Sequence, residues 1–372
     1  MALILIISPI LNSCQKEELK PAEVEKISWG KTGDGNNVDL YTLKNNKGSV
    51  MQVTNYGAII VSLTMPDRNN KFEDIVLGND SLYKYLRESP YFGAIVGRYG
   101  NRIGNGKFKI DDVPYQLTIN NGENHLHGGL NGFDKVVWQA EPVKVENGSA
   151  LKLSYHSYDG EEGYPGNLDI TVFYTLSNEN ELIIEYSGKT DKKTIFNPTH
   201  HSYFNLTGKE SSILDHELII NADQFTPVDS GLITTGELVN VENTAFDFRT
   251  AKAIGKDITN DEEQLKFGLG YDHNWVLNNY DGTLKLAVTL YEKNSGRVME
   301  VLTTEPGLQF YSGNFLDGSI TGKNNVVYNY RSGLCLEAQH YPDSPNKENF
   351  PSVILKPGDT YSQKTVYRFS AK

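Results

Sequence analysis

Four of the chain's eight histidines lie in two short polar stretches, residues 124–129 (NHLHGG) and 197–205 (NPTHHSYFN). Imidazole is the side chain whose ordinary pKa lies closest to neutral pH, so it can accept or release a proton there. A further ionisable group, Glu337, stands alone in the apolar run 334–338 (LCLEA). Histidines together with a carboxylate are the groups that acid–base catalysis or a metal site requires.

Glu337 is the first candidate for a catalytic group. Side chains alternate between the two faces of an extended strand, so Cys335, Glu337 and Gln339 are expected to share one face. A lone Glu at such a place is costly unless it is paired or lines a polar cleft, and partial burial raises its pKa towards that of a useful general base. A structural ion pair with a neighbouring Arg or Lys is an equally open alternative. Cys335 itself is predicted to be a small buried thiol rather than a nucleophile.

The histidine pairs differ in their spacing. If extended, the adjacent His200 and His201 point to opposite faces, so only one of them faces a given site. His125 and His127 share parity and can face the same side, a spacing common among metal ligands. A metal needs a third ligand, and the residues that follow offer only Asp134. We therefore expect no catalytic metal; the alternative role for one of these histidines is to hold the loop by hydrogen bonds.

Two further clusters contain polar groups that are suited to holding a substrate. Arg98 and Arg102 lie near Asn101 in residues 97–103 (GRYGNRI), and guanidinium groups present fixed donors suited to adjacent hydroxyls or to a carboxylate. Residues 270–275 (GYDHNW) combine Asp272 with an imidazole, an amide and an indole. Aromatic rings cover the apolar face of a sugar while carboxylate and amide groups bind its hydroxyls. A salt-bridged turn is the competing interpretation of each cluster.

The elements that position these groups are predicted to be strands. Period-two alternation of apolar and polar residues, which indicates half-buried strands, occurs at 151–155, 168–175, 284–290 and 360–369. The run 182–186 is predicted to be more fully buried, and Asn-Gly and Asp-Gly pairs between such runs are typical of tight turns. Only two short helices are predicted, at 81–88 and after a capping box at 259–262. The pattern favours an all-β fold, a large antiparallel β-sandwich.

Bulk composition limits the function further. The 372-residue chain carries a formal net charge of −12, which repels phosphates and argues against a nucleic-acid partner. Its two cysteines form neither a disulfide framework nor a Cys-x-x-Cys pair for zinc or redox work. Because all-β chains of this length often fold as one unit, we predict a single catalytic domain over residues 27–372.

The first 26 residues predict export. The apolar run 2–11 is too short to cross a bilayer but has the size of a signal-peptide core, although no basic residue precedes it. Residues 11–14 (LNSC) resemble the end of a bacterial lipoprotein signal, which predicts lipidation of Cys14 and attachment to a membrane of the cell envelope. Residues 15–26 are then a linker. The alternative is a disordered tail with an incidental cysteine, on a cytoplasmic protein.

Six motifs, in their order along the chain, resemble those of the aldose 1-epimerase (galactose mutarotase) family. They are 97–103 (GRYGNRI), 124–129 with 132–135 (NHLHGG and GFDK), 197–206 (NPTHHSYFNL), 270–274 (GYDHN), 306–315 (PGLQFYSGNF) and 336–343 (LEAQHYPD). Any one of them alone is a weak signal, but together they extend over about residues 40–370. The resemblance implies a galactose mutarotase-like supersandwich that interconverts the anomers of a free aldohexose such as galactose or glucose, with no cofactor and no metal.

The resemblance also implies roles for individual residues. Glu337 matches the general base, His201 the general acid and His127 a second active-site histidine. The positions matching sugar contacts are Asn101, Arg102, Asp272 and Gln309. The family more often has Asn where this chain has His200, a departure expected to affect specificity or the tuning of the acid.

Three alternative functions and the oligomeric state remain open at this point. One alternative is a carbohydrate-binding sandwich without catalysis, and another is a glycoside hydrolase that uses Asp272 and Glu337 as its two carboxylates. The third, a sugar-phosphate epimerase, would need a basic cluster, and only Arg98 and Arg102 stand close together. We expect a monomer or a weak dimer.

Overall fold

The computed structural model describes residues 24–87, 89–209 and 211–372. These residues form 27 strands, two α-helices and five short 3-10 helices. The strands are β1 Glu25–Lys31, β2 Asn37–Lys44, β3 Val50–Thr54, β4 Ile60–Pro66, β5 Phe72–Asp74, β6 Ile95–Val96, β7 Arg102–Ile103, β8 Lys107–Ile110, β9 Val113–Gln116, β10 His125–Leu126, β11 Gln139–Val143, β12 Ser149–Ser157, β13 Leu168–Leu176, β14 Glu181–Thr190, β15 Thr194–Ile195, β16 Thr199–His200, β17 Glu217–Ile220, β18 Gln224–Thr226, β19 Val239–Asn240, β20 Lys252–Ala253, β21 Asp272–Val276, β22 Lys285–Tyr291, β23 Arg297–Thr303, β24 Gly307–Tyr311, β25 Cys335–Gln339, β26 Ile354–Leu355 and β27 Tyr361–Ala371. The α-helices are α1 Leu82–Tyr85 and α2 Glu263–Gly268, and the 3-10 helices are Gly104–Gly106, Phe133–Lys135, Glu161–Gly163, Lys323–Asn325 and Ser344–Asn346.

Three large sheets contain most of these strands. The largest has nine strands in the spatial order β11-β12-β13-β14-β27-β23-β22-β17-β20. Two five-stranded sheets have the orders β1-β2-β3-β4-β5 and β19-β18-β21-β24-β25. Neighbouring strands in all three run antiparallel. The predicted all-β, antiparallel class is therefore confirmed.

One continuous apolar core joins the three sheets. Met51 of the first sheet, Leu153 of the nine-stranded sheet and Phe310 of the third belong to the same cluster, and each is fully buried. Strand β13 (LDITVFYTL) illustrates why these segments are strands: its alternate residues Leu168 and Ile170 face this core. Burial of each such side chain stabilises the fold by about 1.5–3 kcal/mol, and strands with one apolar face each have to pack in layers.

The predicted helices and the predicted linker need correction. Helix α2 begins at Glu263, after the predicted capping box, and its N-cap residue Glu262 makes no side-chain capping hydrogen bond. Helix α1 contains only residues 82–85 of the predicted 81–88. Strand β1 starts at Glu25, inside the predicted linker, while Cys14 lies outside the described residues. Neither α-helix of the described chain has the length and apolar character that a membrane crossing requires.

The five-stranded sheet that ends in β25 brings the site residues of three strands side by side. Asn274 of β21 pairs with Gln309 of β24, which pairs with Glu337 of β25. Strand β16, which ends at His200, pairs with β6, and β10 pairs with β7 so that Leu126 lies opposite Arg102. The register of these ladders therefore determines which polar residues meet.

Candidate active site

Glu337 projects from the middle of β25 and is almost fully buried, at 2% exposure. Its Oε2 atom has no hydrogen-bond partner among the described residues, and the same is true of Asn274 Nδ2 and Gln339 Oε1 nearby in the sheet. The side-chain amide of Gln339 approaches Asn274 Oδ1 at 3.4 Å and Gln309 Oε1 at 3.5 Å. Buried polar groups are normally paired, so this row has hydrogen-bonding capacity available for a polar ligand.

His201 faces Glu337 from the segment that follows β16. The distance from His201 Nε2 to Glu337 Oε1 is 3.8 Å, and both side chains are buried. The adjacent His200 points elsewhere: its Nε2 lies 2.6 Å from Ser202 Oγ and its Nδ1 lies 3.3 Å from the hydroxyl of Tyr174. The prediction that only one of the two adjacent rings faces the site is therefore confirmed.

His127 completes a cluster of three titratable groups. The nearest nitrogen and oxygen atoms of His127, His201 and Glu337 all lie within 4.8 Å of one another. The backbone has a positive φ of 53° at His127 and of 92° at Gly128. A Cβ at Gly128 would lie 1.7 Å from the Gly97 carbonyl oxygen, so only glycine allows the close approach that holds this loop in place.

The hydrogen bonding of His127 determines its tautomer. The backbone N–H of Asn101 donates to His127 Nδ1 at 3.1 Å. Neutral His127 must then carry its proton on Nε2, which makes that nitrogen a hydrogen-bond donor towards the site. A metal ion would need the lone pair of Nε2 instead. The cluster therefore suits a ligand with oxygen acceptors, such as sugar hydroxyls, better than a cation.

His125 has a structural role, and the expectation that it can share a face with His127 is wrong. Its Nδ1 lies 2.6 Å from the carbonyl oxygen of Thr118 and its Nε2 lies 2.6 Å from the hydroxyl of Tyr164. The two side chains do not share a face because the positive φ of His127 ends the extended backbone after Leu126. The alternative, that one histidine holds the loop by hydrogen bonds, applies to His125.

The two arginines of residues 97–103 differ in environment. Arg102 is buried near the site, with Nη1 3.8 Å from Asp272 Oδ2 and Nε donating to Asn121 Oδ1 at 3.1 Å. Gln309 donates to the other oxygen of Asp272 at 2.8 Å. Arg98 instead donates to the backbone carbonyls of Pro165 and Gly166 and to other groups of the 157–166 region, which is a structural role. Arg102, Asp272 and Gln309 thus form one connected polar group beside Glu337.

Asn101 contributes to the site through hydrogen bonds of its backbone and its side-chain carbonyl. Its N–H and C=O groups bond to His127, and its Oδ1 accepts from the N–H of Arg102 at 2.8 Å. The φ angle of Asn101 is 64°, a left-handed conformation that asparagine tolerates better than most residues. It therefore supports two of the predicted site residues.

Burial shifts the pKa values of the titratable groups towards their neutral forms. Burial raises the pKa of Glu337 well above its ordinary value; nearby Asp272 adds to the increase and Arg102 opposes it. Burial lowers the pKa of His201 to about 4. The pKa of His127 falls well below its ordinary value, because of burial first and then the charge of His201 and other nearby cations. Both shifts favour the neutral forms, a protonated carboxyl at Glu337 and an unprotonated imidazole at His201.

Aromatic rings close the site beside the histidines. The ring of Tyr91 packs against His127 and His201, with centroid separations of 4.6 and 5.7 Å. Tyr203 contacts the His201 ring at 5.2 Å. Sequence reasoning did not find Tyr91, since it lies outside any periodic pattern and its backbone has a positive φ of 64°. The tyrosine in SPYFG, before a glycine turn, is the only signal that the sequence carries.

Two clefts of about 810 and 620 Å³ open elsewhere on the surface, and none of the predicted site residues lines them. The second contains another buried acid beside an imidazole, Glu305 Oε2 at 2.6 Å from His340 Nδ1. In that pair the carboxylate and the imidazole bond to each other, and none of the predicted sugar-contact residues lines the cleft. The cluster around Glu337 is therefore the better candidate for an active site.

Comparison with known proteins identifies the relatives of this chain. The family model described as aldose 1-epimerase matches residues 39–368. The galactose mutarotase of Bos taurus is 45% identical over 334 residues, covering 90% of this chain and 94% of that protein. The aldose 1-epimerase of Escherichia coli strain K12 is 38% identical over 341 residues, covering 91% and 97%. The crystal structure of galactose 1-epimerase from Lactobacillus acidophilus NCFM is similar with a TM-score of 0.83 at 31% identity, covering 94% of this chain and 99% of that one.

These relatives contradict the predicted placement in a bacterial cell envelope. They are mammalian and bacterial mutarotases that match at least 90% of the chain, and none is named as a lipoprotein or an exported protein. The prediction of an exported lipoprotein is therefore wrong. It depended on the four residues 11–14 and on an apolar run without the preceding positive charge of a signal peptide.

Proposed function

This chain belongs to the aldose 1-epimerase family, and on that premise we propose how its residues interconvert the α and β anomers of a free aldose. The reaction of the family opens the ring of a cyclic aldose at C1 and closes it on the other face. The observation that carries the assignment of roles is the 3.8 Å separation of His201 Nε2 and Glu337 Oε1, with His127 beside both. An acid and a base this close can both contact one pyranose.

The pair holds the single proton that the reaction requires. Burial favours a neutral carboxyl at Glu337 and a neutral imidazole at His201. The 3.8 Å between Oε1 and Nε2 is too long for a direct hydrogen bond, so a bound sugar hydroxyl relays this proton from Glu337 to His201. The relay creates a carboxylate and an imidazolium without any exchange with solvent. Sugar hydroxyls that bond to the charged groups favour this arrangement. The pair then behaves as one titrating unit.

Ring opening uses both groups at once. Glu337 takes the proton of the anomeric hydroxyl, the electrons of that O–H bond form the C1=O1 double bond, and the C1–O5 bond breaks with its electrons moving to O5. His201 gives its Nε2 proton to O5. Rotation about C1–C2 by half a turn presents the other carbonyl face. Closure reverses each step: O5 attacks C1, His201 recovers the O5 proton, and Glu337 returns its proton to O1. Each of the two groups contributes about 10²–10⁴ in rate.

The remaining polar residues hold the sugar while its C1 end moves. The Nε2–H of His127 donates to a sugar oxygen near the reacting bond. Arg102, Asp272 and Gln309 bind hydroxyls further along the ring, and their mutual bonds hold them in place before the substrate arrives. Such pre-positioned donors act without reorganisation during the reaction.

We further propose that the enzyme needs no cofactor and that its substrates are free aldohexoses such as galactose and glucose. Acid–base groups alone complete the chemistry, and the tautomer of His127 favours sugar oxygens over a metal ion. The relatives named galactose mutarotase support galactose as a substrate.

Polarimetry tests this function directly. Freshly dissolved α-galactose and α-glucose should mutarotate faster with the full-length protein than in buffer, and dialysis against a chelator should not change the rate. Binding of galactose with no acceleration would instead make the protein a carbohydrate-binding sandwich. Release of reducing sugar from an aryl galactoside would favour a hydrolase, and we expect none.

A further inference from the structure

The imidazole of His201 has a second polar neighbour besides Glu337. Cys335 Sγ lies 3.5 Å from His201 Nδ1, on the side of the ring away from the Glu337 contact. Cys335 is fully buried and stands two residues before Glu337 in β25. It thus shares a face of the strand with the carboxylate while contacting the opposite nitrogen of the imidazole.

The role of His201 as an acid sets a requirement at Nδ1. If Nε2 gains and loses the catalytic proton, Nδ1 must keep its hydrogen throughout the cycle. A buried N–H without an acceptor is costly. The neighbouring acceptors are the sulfur of Cys335 and the backbone carbonyl of His201 itself, which already accepts from the N–H of Gly93 at 3.0 Å. Burial also raises the pKa of Cys335, so its sulfur stays a neutral thiol.

Aromatic packing alone cannot orient this ring. Tyr203 and Tyr91 hold the plane of the imidazole, with interplanar angles of 33° and 35°. A half-turn of the ring about its Cβ–Cγ bond preserves that plane but moves Nε2 away from Glu337. Apolar contacts hardly distinguish the two orientations, whereas hydrogen bonds at the ring nitrogens do.

We propose that Cys335 is a positioning residue for the catalytic histidine. Its Sγ accepts a hydrogen bond from His201 Nδ1–H and so keeps Nε2 directed at Glu337 and the sugar. The inference rests on the proposed function, since it matters only if His201 is the acid. Cys335 itself does not need to touch the substrate.

Two variants of similar size test the hydrogen bond. Cys335→Ala removes the acceptor, whereas Cys335→Ser keeps one, and both are slightly smaller than cysteine. From the net value of one hydrogen bond, we expect Cys335→Ala to lower kcat for α-galactose by about three- to tenfold, with KM little changed. Cys335→Ser should retain most of the wild-type kcat. Equal losses in both variants would indicate packing alone, and no loss in either would also refute the proposal.

Nitrogen NMR of the histidines gives a readout that does not depend on activity. In wild-type protein labelled with ¹⁵N-histidine, neutral His201 should carry its hydrogen on Nδ1, and in Cys335→Ala the Nε2–H tautomer should become populated. A wild-type His201 with its hydrogen on Nε2 would overturn the inference, even if the alanine variant fails to fold. Failure of the proposed function would instead appear as wild-type mutarotation in His201→Asn.

Discussion

Replacement of Glu337 by glutamine should separate catalysis from stability. The substitution keeps the size of the side chain and removes the base that accepts the anomeric proton. We expect kcat for the mutarotation of α-galactose to fall by about 10²–10⁴, which corresponds to a barrier higher by about 2.7–5.4 kcal/mol. KM should change little because the amide still bonds to a hydroxyl. Polarimetry under saturating sugar measures both constants.

The same substitution, Glu337→Gln, should raise the free energy of unfolding while it lowers kcat. Because burial raises the pKa of Glu337, the folded chain binds this proton more tightly than the unfolded chain does. The wild-type protein therefore loses stability as the pH rises above the ordinary glutamate value of 4.5. Glutamine does not titrate, so Glu337→Gln should be more stable at neutral pH by about 1 kcal/mol. The difference should disappear in acid, which urea unfolding at the two pH values will measure.

A second buried acid provides the matched control. Glu305 is also buried and lies 2.6 Å from a histidine, His340, but it is outside the site. Glu305→Gln should leave kcat near the wild-type value. If Glu337→Gln retains more than about one tenth of the wild-type kcat, or if Glu305→Gln loses as much activity, the assignment of the base is refuted.

Three further predictions concern the two arginines and the proton pair. Arg102→Lys should raise KM for galactose about tenfold, because lysine cannot reproduce the forked contacts to Asp272 and Asn121. An unchanged KM in polarimetry would contradict the role of Arg102 in binding the sugar. Arg98→Lys should lower the free energy of unfolding by about 2–3 kcal/mol with KM unchanged, because carbonyl groups lose their donors; urea unfolding checks this. In the pH profile of kcat/KM, the lower limb should lie near the His201 pKa of about 4, where the pair takes up a second proton. The upper limb should lie above the ordinary pKa of a glutamate, where Glu337 loses the shared proton. A lower limb near the ordinary histidine value of 6.5 would argue against the shared proton.

Strand alternation predicted part of the site well. The placement of Cys335, Glu337 and Gln339 on one face follows from a regular extended strand, and the structure has that strand at residues 335–339. The opposite orientations of His200 and His201 follow from the same rule. Where the backbone is regular, the period of two is sufficient to indicate which side chains share a face.

The other parts of the candidate site depend on irregular backbone and on long-range contacts. The parity of His125 and His127 was misleading because a positive φ at His127 interrupts the strand. The Gly128-Gly129 pair signals a turn, but it does not show that the turn already begins at His127. The pairing of β21, β24 and β25 joins residues far apart in the chain, and local patterns do not determine such a register. The contact of Cys335 with His201 depends on the same long-range packing.

The most direct test of the account is the double variant Glu337→Gln with His201→Asn, measured by polarimetry beside each single variant. If the two groups form one proton-exchanging pair, each single variant should lose most of the catalysis and the double variant should be about as slow as the slower single variant. If the losses multiply in the double variant, or if a single variant keeps a nearly normal kcat, the proposal that Glu337 and His201 act as one pair is contradicted.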